Sequence, residues 1–427
     1  MKAILDCNSF YCSCERLFKP RLDDKAVVVL SNNDGCIISR SDEAKSLGVQ
    51  MAGPYFKAKP LIEKFKVATF SSNYNLYGDL SWRVMETLRM LLGTENIEVY
   101  SVDEAFLDLS GFKRSELNKI ALAIRKTVEQ WTGIKVSIGV APTKVLAKVA
   151  NHMAKKNKAA TDCVVVLDTD EKITNALLNT PVAEIWGIGY QYAQKLKDMH
   201  AIFTAHDLTK RTEEWAKHNL GGVTGIKLLK ELKGESVNEM GKELTVKKMI
   251  ATTRMFGHSV NDINDIKEAV ATYTSKAAEK LRRQKSAANI ISVFVIAKEQ
   301  DHTIDFRHGE SKSRHITLPV ATSSTCDLIK PAILLVDKIF EKGRSYKKAG
   351  VMLSGLVPDE TIQGNLFLTE RNNSKRLLMD MVDNVNFAMR DDMIKFASSG
   401  TTRDWKMRME MRSPRYTTRW EELFEVH

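Results

Sequence analysis

The amino-acid sequence predicts a multidomain α+β protein. Its 427 residues exceed what one hydrophobic core organises, so two to four domains are expected. Short runs of strand periodicity are separated by longer runs of helical periodicity. The most informative pair of runs, Ile97 to Tyr100 and Ala105 to Leu109, reads as two half-buried strands with Asp103 and Glu104 between them. Neighbours on a regular strand face opposite ways, so these acids share a direction only at a tight turn or bulge. Two carboxylates at one tip are either a solvated acidic turn or a site that collects a cation. Mg²⁺ suits them, because it favours a couple of carboxylates plus substrate phosphates over a full protein cage.

Taken in order, Ala3-Ile4-Leu5 reads as a buried strand with Asp6 at its carboxyl end, and Asn8 as the N-cap of a helix beginning near Ser9. The free N–H groups of residues 9 to 11 then form an anion site beside a carboxylate. Val27 to Leu30 is a continuous apolar strand ending in a turn at Ser31 to Gly35. After Ile37-Ile38, a short helix is expected to stop at Gly48, and Gly53, Pro54 and Pro60 mark a small inserted subdomain. Asp79 to Leu92 reads as a helix with Trp82, Met85, Leu88, Met90 and Leu92 on its apolar face. Leu117 to Trp131 is a second, ended by Gly133. Lys135 to Val140 alternates as a strand, and a lysine-rich helix follows from Pro142-Thr143-Lys144 to Lys155-Lys156, its lysines read mostly as a solvated face.

Helices on one face of a mainly antiparallel sheet make an α+β palm. Its first strand and central hairpin would bring Asp6 to Asp103 and Glu104. Three carboxylates converging beside a helix N-terminus describe a two-metal site for phosphoryl or nucleotidyl transfer.

Pro181 to Lys197 places Gly187-Ile188-Gly189 between two helical segments, a hairpin whose bare N–H groups grip phosphate without reading sequence. Lys247 to Arg254 is strand-like with Lys247, Lys248 and Arg254 interleaved, able to track a phosphate backbone or to guard a sheet edge. Ile266 to Arg283 and Pro331 to Phe340 read as helices and Ile290 to Ile296 as a strand. Beyond Pro358 the texture turns polar, and Gln363 to Phe367 carries an isolated Leu366-Phe367 pair suited to a partner's groove. The tail from Ser398 is basic and reads as an attachment segment.

The net charge of +11 favours an anionic partner such as nucleic acid. No apolar run approaches a membrane span, and the first residues break too early for a signal peptide, so a cytoplasmic location without membrane association is expected. Six cysteines without metal or redox spacing read as free thiols. Neither a P-loop nor a dinucleotide fingerprint is present.

Together these residues resemble a Y-family translesion DNA polymerase of the UmuC type. The likeness runs over essentially the whole chain: Asp6-x-Asn8-x-Phe10-Tyr11, Leu30 to Cys36, Phe70 to Tyr74, Ser101 to Phe106, Trp186 to Gly189, Lys348 to Leu353 and Ser413 to Arg419. It implies a right hand: a palm of residues 1–22 and 75–168, fingers of 23–74 and a helical thumb with a helix–hairpin–helix at 169–243. An α+β little finger of 244–357 and a C-terminal clamp- and partner-binding tail of 358–427 complete it.

The same resemblance implies error-prone synthesis in the SOS response, with Asp6, Asp103 and Glu104 holding two Mg²⁺ and the Cys7 carbonyl completing the shell. Phe10 and Tyr11 would offer N–H groups to the phosphates, Tyr11 would be the steric gate against ribose, and Lys155 the triphosphate lysine. Many relatives carry Tyr and Arg three residues apart in the fingers; here Asp42 and Lys45 stand there. That leaves Lys45 as a phosphate contact and no residue in the Tyr role. Gly187 and Gly189 would touch the DNA backbone, and Gln363, Leu366 and Phe367 would bind the sliding clamp. The implied partners are primer–template DNA, a dNTP, the clamp, a cleaved UmuD-type dimer and a RecA filament. Two rivals stand beside this reading: a nucleotide cyclase built on a similar palm, and a non-catalytic single-stranded DNA-binding protein.

Overall fold

The computed structural model describes residues 1–241, 246–298, 309–364, 373–389 and 392–423. The chain forms two compact units. The first comprises Met1–Ser31, Gly35–Glu243 and Met411–His427, the second Asn32–Asp34 and Leu244–Glu410. Among the described residues the strands form three sheets.

The first unit opens with β1 (Lys2–Cys7) and α1 (Phe10–Leu17). Asn8 does not cap this helix. Ser9 holds the cap position in a left-handed conformation (φ 45°, ψ 48°), while the Asn8 amide oxygen accepts a hydrogen bond from Ser137 Oγ at 2.8 Å. Then come β2 (Val27–Leu30), β3 (Ile37–Arg40), α2 (Asp42–Ser46), α3 (Tyr55–Lys64) and β4 (Ala68–Ser71). β2 lies between an antiparallel β3 and a parallel β4, and its four buried residues suit a central strand.

α4 (Tyr74–Leu92) starts before the expected Asp79, because the Asn73 side chain accepts from Leu76 N–H and caps it there. Leu76, Tyr77, Leu80 and Val84 face the core, whereas Trp82 and Met90, expected on that face, are exposed. β5 (Ile97–Val99), β6 (Glu104–Asp108), α5 (Leu117–Thr132), β7 (Val136–Ala141), α6 (Lys144–Lys156), α7 (Lys158–Thr161) and β8 (Val164–Val166) follow. Trp131 on α5 is exposed as well. Gly133 ends α5 at φ 71°, and Thr143 caps α6 through Leu146 N–H.

The main sheet runs β5-β6-β1-β7-β8, antiparallel except for β7–β8. Helices cover both of its faces rather than one. Ala3, Leu5 and Cys7 join a core with α1, α4 and α5; Ile4, Phe106 and Ala141 join another with α6 and the helices beyond. Those helices are α8 (Asp170–Leu178), α9 (Tyr190–His200), α10 (Ala205–Thr209), α11 (Glu213–Asn219) and α12 (Val223–Leu232).

The second unit contains β9 (Ile250–Val260), α13 (Ile263–Arg283), β10 (Ser286–Ala297), β11 (Ser311–Thr322), α14 (Thr325–Ile339), β12 (Tyr346–Pro358) and α15 (Asn373–Ala388). Its antiparallel sheet runs β11-β10-β12-β9, with α13 and α14 packed on it. The basic tail is not a free attachment segment. Trp405 is buried in the second unit's core and Arg403 pairs with Asp392 at 3.2 Å, while Tyr416 enters the core of the first unit. No described helix is long and apolar enough to cross a membrane.

Candidate active site

β1 and β6 pair antiparallel with Asp6 directly opposite Glu104. One residue on, the Cys7 N–H donates to the Asp103 carbonyl at 2.8 Å, and the N–H groups of Tyr100 and Ser101 both donate to the Glu104 carbonyl. This tight turn supplies the break in strand phase that two adjacent acids need. The three acids sit at one end of neighbouring strands.

Their side chains are engaged differently. Asp6 is nearly buried, and Lys155 Nζ lies 2.5 Å from its Oδ2. Lys148 Nζ lies 2.6 Å from Glu104 Oε1. Both lysines project from one face of α6, two turns apart. Burial pushes the Asp6 carboxyl up to about 7 against the pull of Lys155, and its hydrogen bond with Glu104 adds to the rise. Burial also works against charge on Glu104, but the bonds from Asp6 and Lys148 hold that carboxyl below its ordinary range. The Asp103 carboxylate accepts a hydrogen bond from Ser101 Oγ at 2.6 Å.

Among the described residues no three His, Cys, Asp or Glu side chains close into a metal cage. The donor set nevertheless fits a divalent cation. The Asp6 and Glu104 carboxyls share a hydrogen bond at one strand end, Asp103 lies on the adjoining turn, and all three are hard oxygen donors.

Tyr11 is half-buried beside the acids, with burial first, then Tyr74 and Asp103, raising its phenol. Its ring stacks on Tyr77 at 4.5 Å and 17°, and meets Tyr74 edge-on at 6.0 Å. Phe10 is a core residue, 3% exposed, so only its backbone is available. Lys45 is exposed on α2, whose Asp42 pairs with Lys158. Burial, then the charges of Lys156, Lys155 and Lys45, hold His152 below its usual range against Glu184. These cations therefore crowd one neighbourhood.

Sequence reasoning missed Lys148, which it left among the solvated lysines. Its ammonium also stands over the rings of Tyr100, Trp186 and Phe106, at 5.0, 5.7 and 5.9 Å. Trp186 Nε1–H donates to Tyr100 Oη at 3.3 Å, so the glycine hairpin is tied to the acidic turn. That hairpin is not a full helix pair: a 3-10 turn, Val182–Glu184, precedes it and α9 follows. Gly187 (φ 96°) and Gly189 are exposed, with Ile188 buried between them.

In the second unit Lys247, Lys248 and Arg254 are exposed, and both lysines precede β9 rather than lying on it. Burial, then Arg254 and Lys247, lower the Lys280 ammonium, which marks a dense basic patch. Gln363 is exposed; Leu366 and Phe367 lie outside the described residues.

Residues 5–152 match the impB/mucB/samB family, residues 247–366 its C-terminal domain, and residues 376–426 a domain of unknown function. The chain is 40% identical to Protein UmuC of Salmonella typhimurium over 100% of both chains. It is 34% identical to Protein MucB of Escherichia coli over 99% of each. A DNA polymerase IV of Staphylococcus aureus is 29% identical over 82% of this chain and 94% of its own. Among solved structures, a Y-family DNA polymerase chimera superposes with a TM-score of 0.69, covering 84% of this chain and 99% of that one at 22% identity. An insertion ternary complex of Dbh DNA polymerase gives 0.56 over 84% and 99%, also at 22% identity. A turn that sets Asp103 and Glu104 beside Asp6, on a fold shared with Y-family polymerases, is thus the centre of a chain that belongs to the impB/mucB/samB family.

Proposed function

We infer that the chain is a DNA-directed DNA polymerase of the translesion class, extending a primer 3′-hydroxyl with deoxynucleotides opposite damaged template. The observation that carries this reading is the cross-strand pair of buried Asp6 and half-buried Glu104, with Asp103 on the adjoining turn, beside the first turn of α1 and the Tyr11 ring. Relatives named DNA polymerase IV and neighbours solved as ternary polymerase complexes support it.

Asp6, Asp103, Glu104 and the Cys7 carbonyl would hold two Mg²⁺, which when bound acidify the primer hydroxyl and stabilise the leaving pyrophosphate. Lys155, paired with Asp6 in the free protein, is the counter-charge for a triphosphate, and Lys45 is a second contact on its exposed side. The N–H groups of Phe10 and Tyr11 lack intrahelical partners and face anions. Tyr11, stacked on Tyr77, is a rigid wall against a ribose 2′-hydroxyl. Gly187, Gly189, Lys247, Lys248 and Arg254 hold the DNA backbone without reading bases. Gln363, Leu366 and Phe367 dock on the sliding clamp. A cleaved UmuD-type dimer, a RecA filament, a cytoplasmic setting and the SOS response complete the reading.

Primer extension on a damaged template with Mg²⁺ tests the assignment. Asp103→Ala and Glu104→Ala are each expected to lose at least ~10³-fold in rate while binding primer–template as the wild type does. Equal extension by the two variants removes the metal site and favours a silent DNA binder. Cyclisation of a triphosphate without primer favours a cyclase.

The glycine hairpin gives a cleaner test of backbone contact. A Cβ added at Gly189 meets no atom within 4 Å, and its φ of −79° suits any residue. Gly189→Ala is therefore expected to melt with the wild type yet bind duplex DNA several-fold more weakly, as measured by fluorescence anisotropy. Unchanged affinity places the DNA elsewhere.

A further inference from the structure

Residues 376–426 match a domain to which no function is assigned, yet part of this segment is built into the wall behind Tyr11. Met411 N–H donates to Ser71 Oγ at 3.0 Å, Ser71 N–H donates to the Met411 carbonyl at 3.1 Å, and Arg412 bridges parallel to Ser71 at the end of β4. The Asn73 amide donates to the Ser413 carbonyl, to Ser413 Oγ and to the Pro414 carbonyl at 3.0 to 3.1 Å. The same side chain caps α4, which carries Tyr74 and Tyr77. Tyr416 then stacks on Phe18 at 4.6 Å and 17°.

The link to the site runs through Glu15. This carboxyl has no solvent exposure, and its Oε1 accepts two hydroxyls: Tyr77 Oη at 2.7 Å and Ser413 Oγ at 3.0 Å. Burial raises Glu15 while the bonds from Tyr77 and Ser413 pull it down, so loss of either hydroxyl leaves a buried acceptor short of a partner. Tyr77 is 1% exposed, and its ring is the one on which Tyr11 stacks. A stacked aromatic pair holds a preferred offset, so where the Tyr77 ring sits sets where the Tyr11 ring sits. Core packing holds the Tyr77 ring, and its hydroxyl adds a fixed point on a carboxyl that also accepts from the tail's Ser413.

We propose that residues 411–416 position the sugar-excluding ring: Ser413, acting through Glu15 and Tyr77, fixes Tyr11 and so sets how strictly ribonucleotides are refused. This rests on Tyr11 being the gate. Ser413, Glu15 and Tyr77 are positioning residues and touch no nucleotide themselves. Exclusion by a wall depends on tenths of an ångström, because repulsion rises steeply with overlap and misplacement alone is costly at a reacting centre.

The test is single-nucleotide insertion by the full chain, comparing kcat/KM for a dNTP and the matching rNTP. The ratio is internal to each preparation, so a partly folded variant does not distort it. Tyr11→Ala is the control for the gate. Tyr77→Phe and Ser413→Ala are each expected to reduce discrimination about five- to tenfold, through a rise in rNTP insertion, with dNTP insertion nearly unchanged. Glu15→Gln keeps an oxygen that accepts both hydroxyls and is expected to retain discrimination within about twofold.

If Tyr11→Ala relaxes discrimination while Tyr77→Phe and Ser413→Ala leave the ratio alone, the tail is a structural strap and the proposal is overturned with the gate intact. The same holds if those two variants slow both nucleotides equally. If Tyr11→Ala leaves the ratio unchanged, the gate reading falls first and the proposal with it.

Discussion

Asp6→Asn is expected to abolish primer extension and, at the same time, to stabilise the metal-free protein above neutral pH. Burial raises the Asp6 carboxyl from 3.8 to about 7, so between those values the folded chain binds a proton that the unfolded chain does not. The group's contribution to stability is therefore complete below about pH 3.8 and is lost as the pH rises through about 7. An amide at this position never carries the charge and escapes that loss. Lys155 is 35% exposed and turns to water when its partner is neutral, so little is forfeited on that side. The variant is expected to gain ~1–2 kcal/mol over the wild type at pH 8 in EDTA and little or nothing at pH 4. Mg²⁺ should then stabilise the wild type and leave the variant unmoved, since only a ligand that binds the folded state shifts its melting. Thermal unfolding at the two pH values, with and without Mg²⁺, reads all of this. A variant whose advantage does not grow with pH would mean that Asp6 ionises as an ordinary carboxyl.

The second large effect lies under α6. A Cβ built on Gly139 stands 2.1 Å from Asn151 N and 2.3 Å from the Ala147 carbonyl oxygen. Both atoms are helix backbone, so no rotamer change relieves the overlap. Gly139→Ala must lift α6 off β7, and with it the two lysines that neutralise Asp6 and Glu104. A loss of about 3 kcal/mol or more is expected, seen as a lower melting temperature and poor soluble yield. A variant that melts within a degree or two of the wild type would contradict the packing described.

How much of this was legible beforehand follows from where the information sits. The β1, β2, β6 and β7 segments and helix α5 show themselves through local periodicity, and the acidic turn through two adjacent carboxylates where the strand phase breaks. The start of α4 is hidden in the sequence because its cap, Asn73, lies among polar residues that also read as a loop. Asn8 has the residue type of a cap, but Ser137, distant in sequence, claims its side chain. Trp82, Met90 and Trp131 fit a helical stripe yet lie at its exposed rim, which a one-dimensional period does not resolve. Lys148 looked like any solvated lysine, because only the fold brings Glu104 and three aromatic rings to it. β11 and α15 carry mixed polar and apolar residues with little alternation, so their pairing is visible only in three dimensions.

The bridge from Arg412 to Ser71, with Tyr416 lying on Phe18, closes the first unit with a segment more than three hundred residues downstream of the part it covers. During synthesis the ribosome delivers residues 1–243 long before residues 411–416 emerge. For that whole interval Phe18, Asn73 and Glu15 wait without their final cover. Completion of the first unit is therefore a late event in translation, and a message cut short upstream of residue 411 yields a first unit that lacks its last seal.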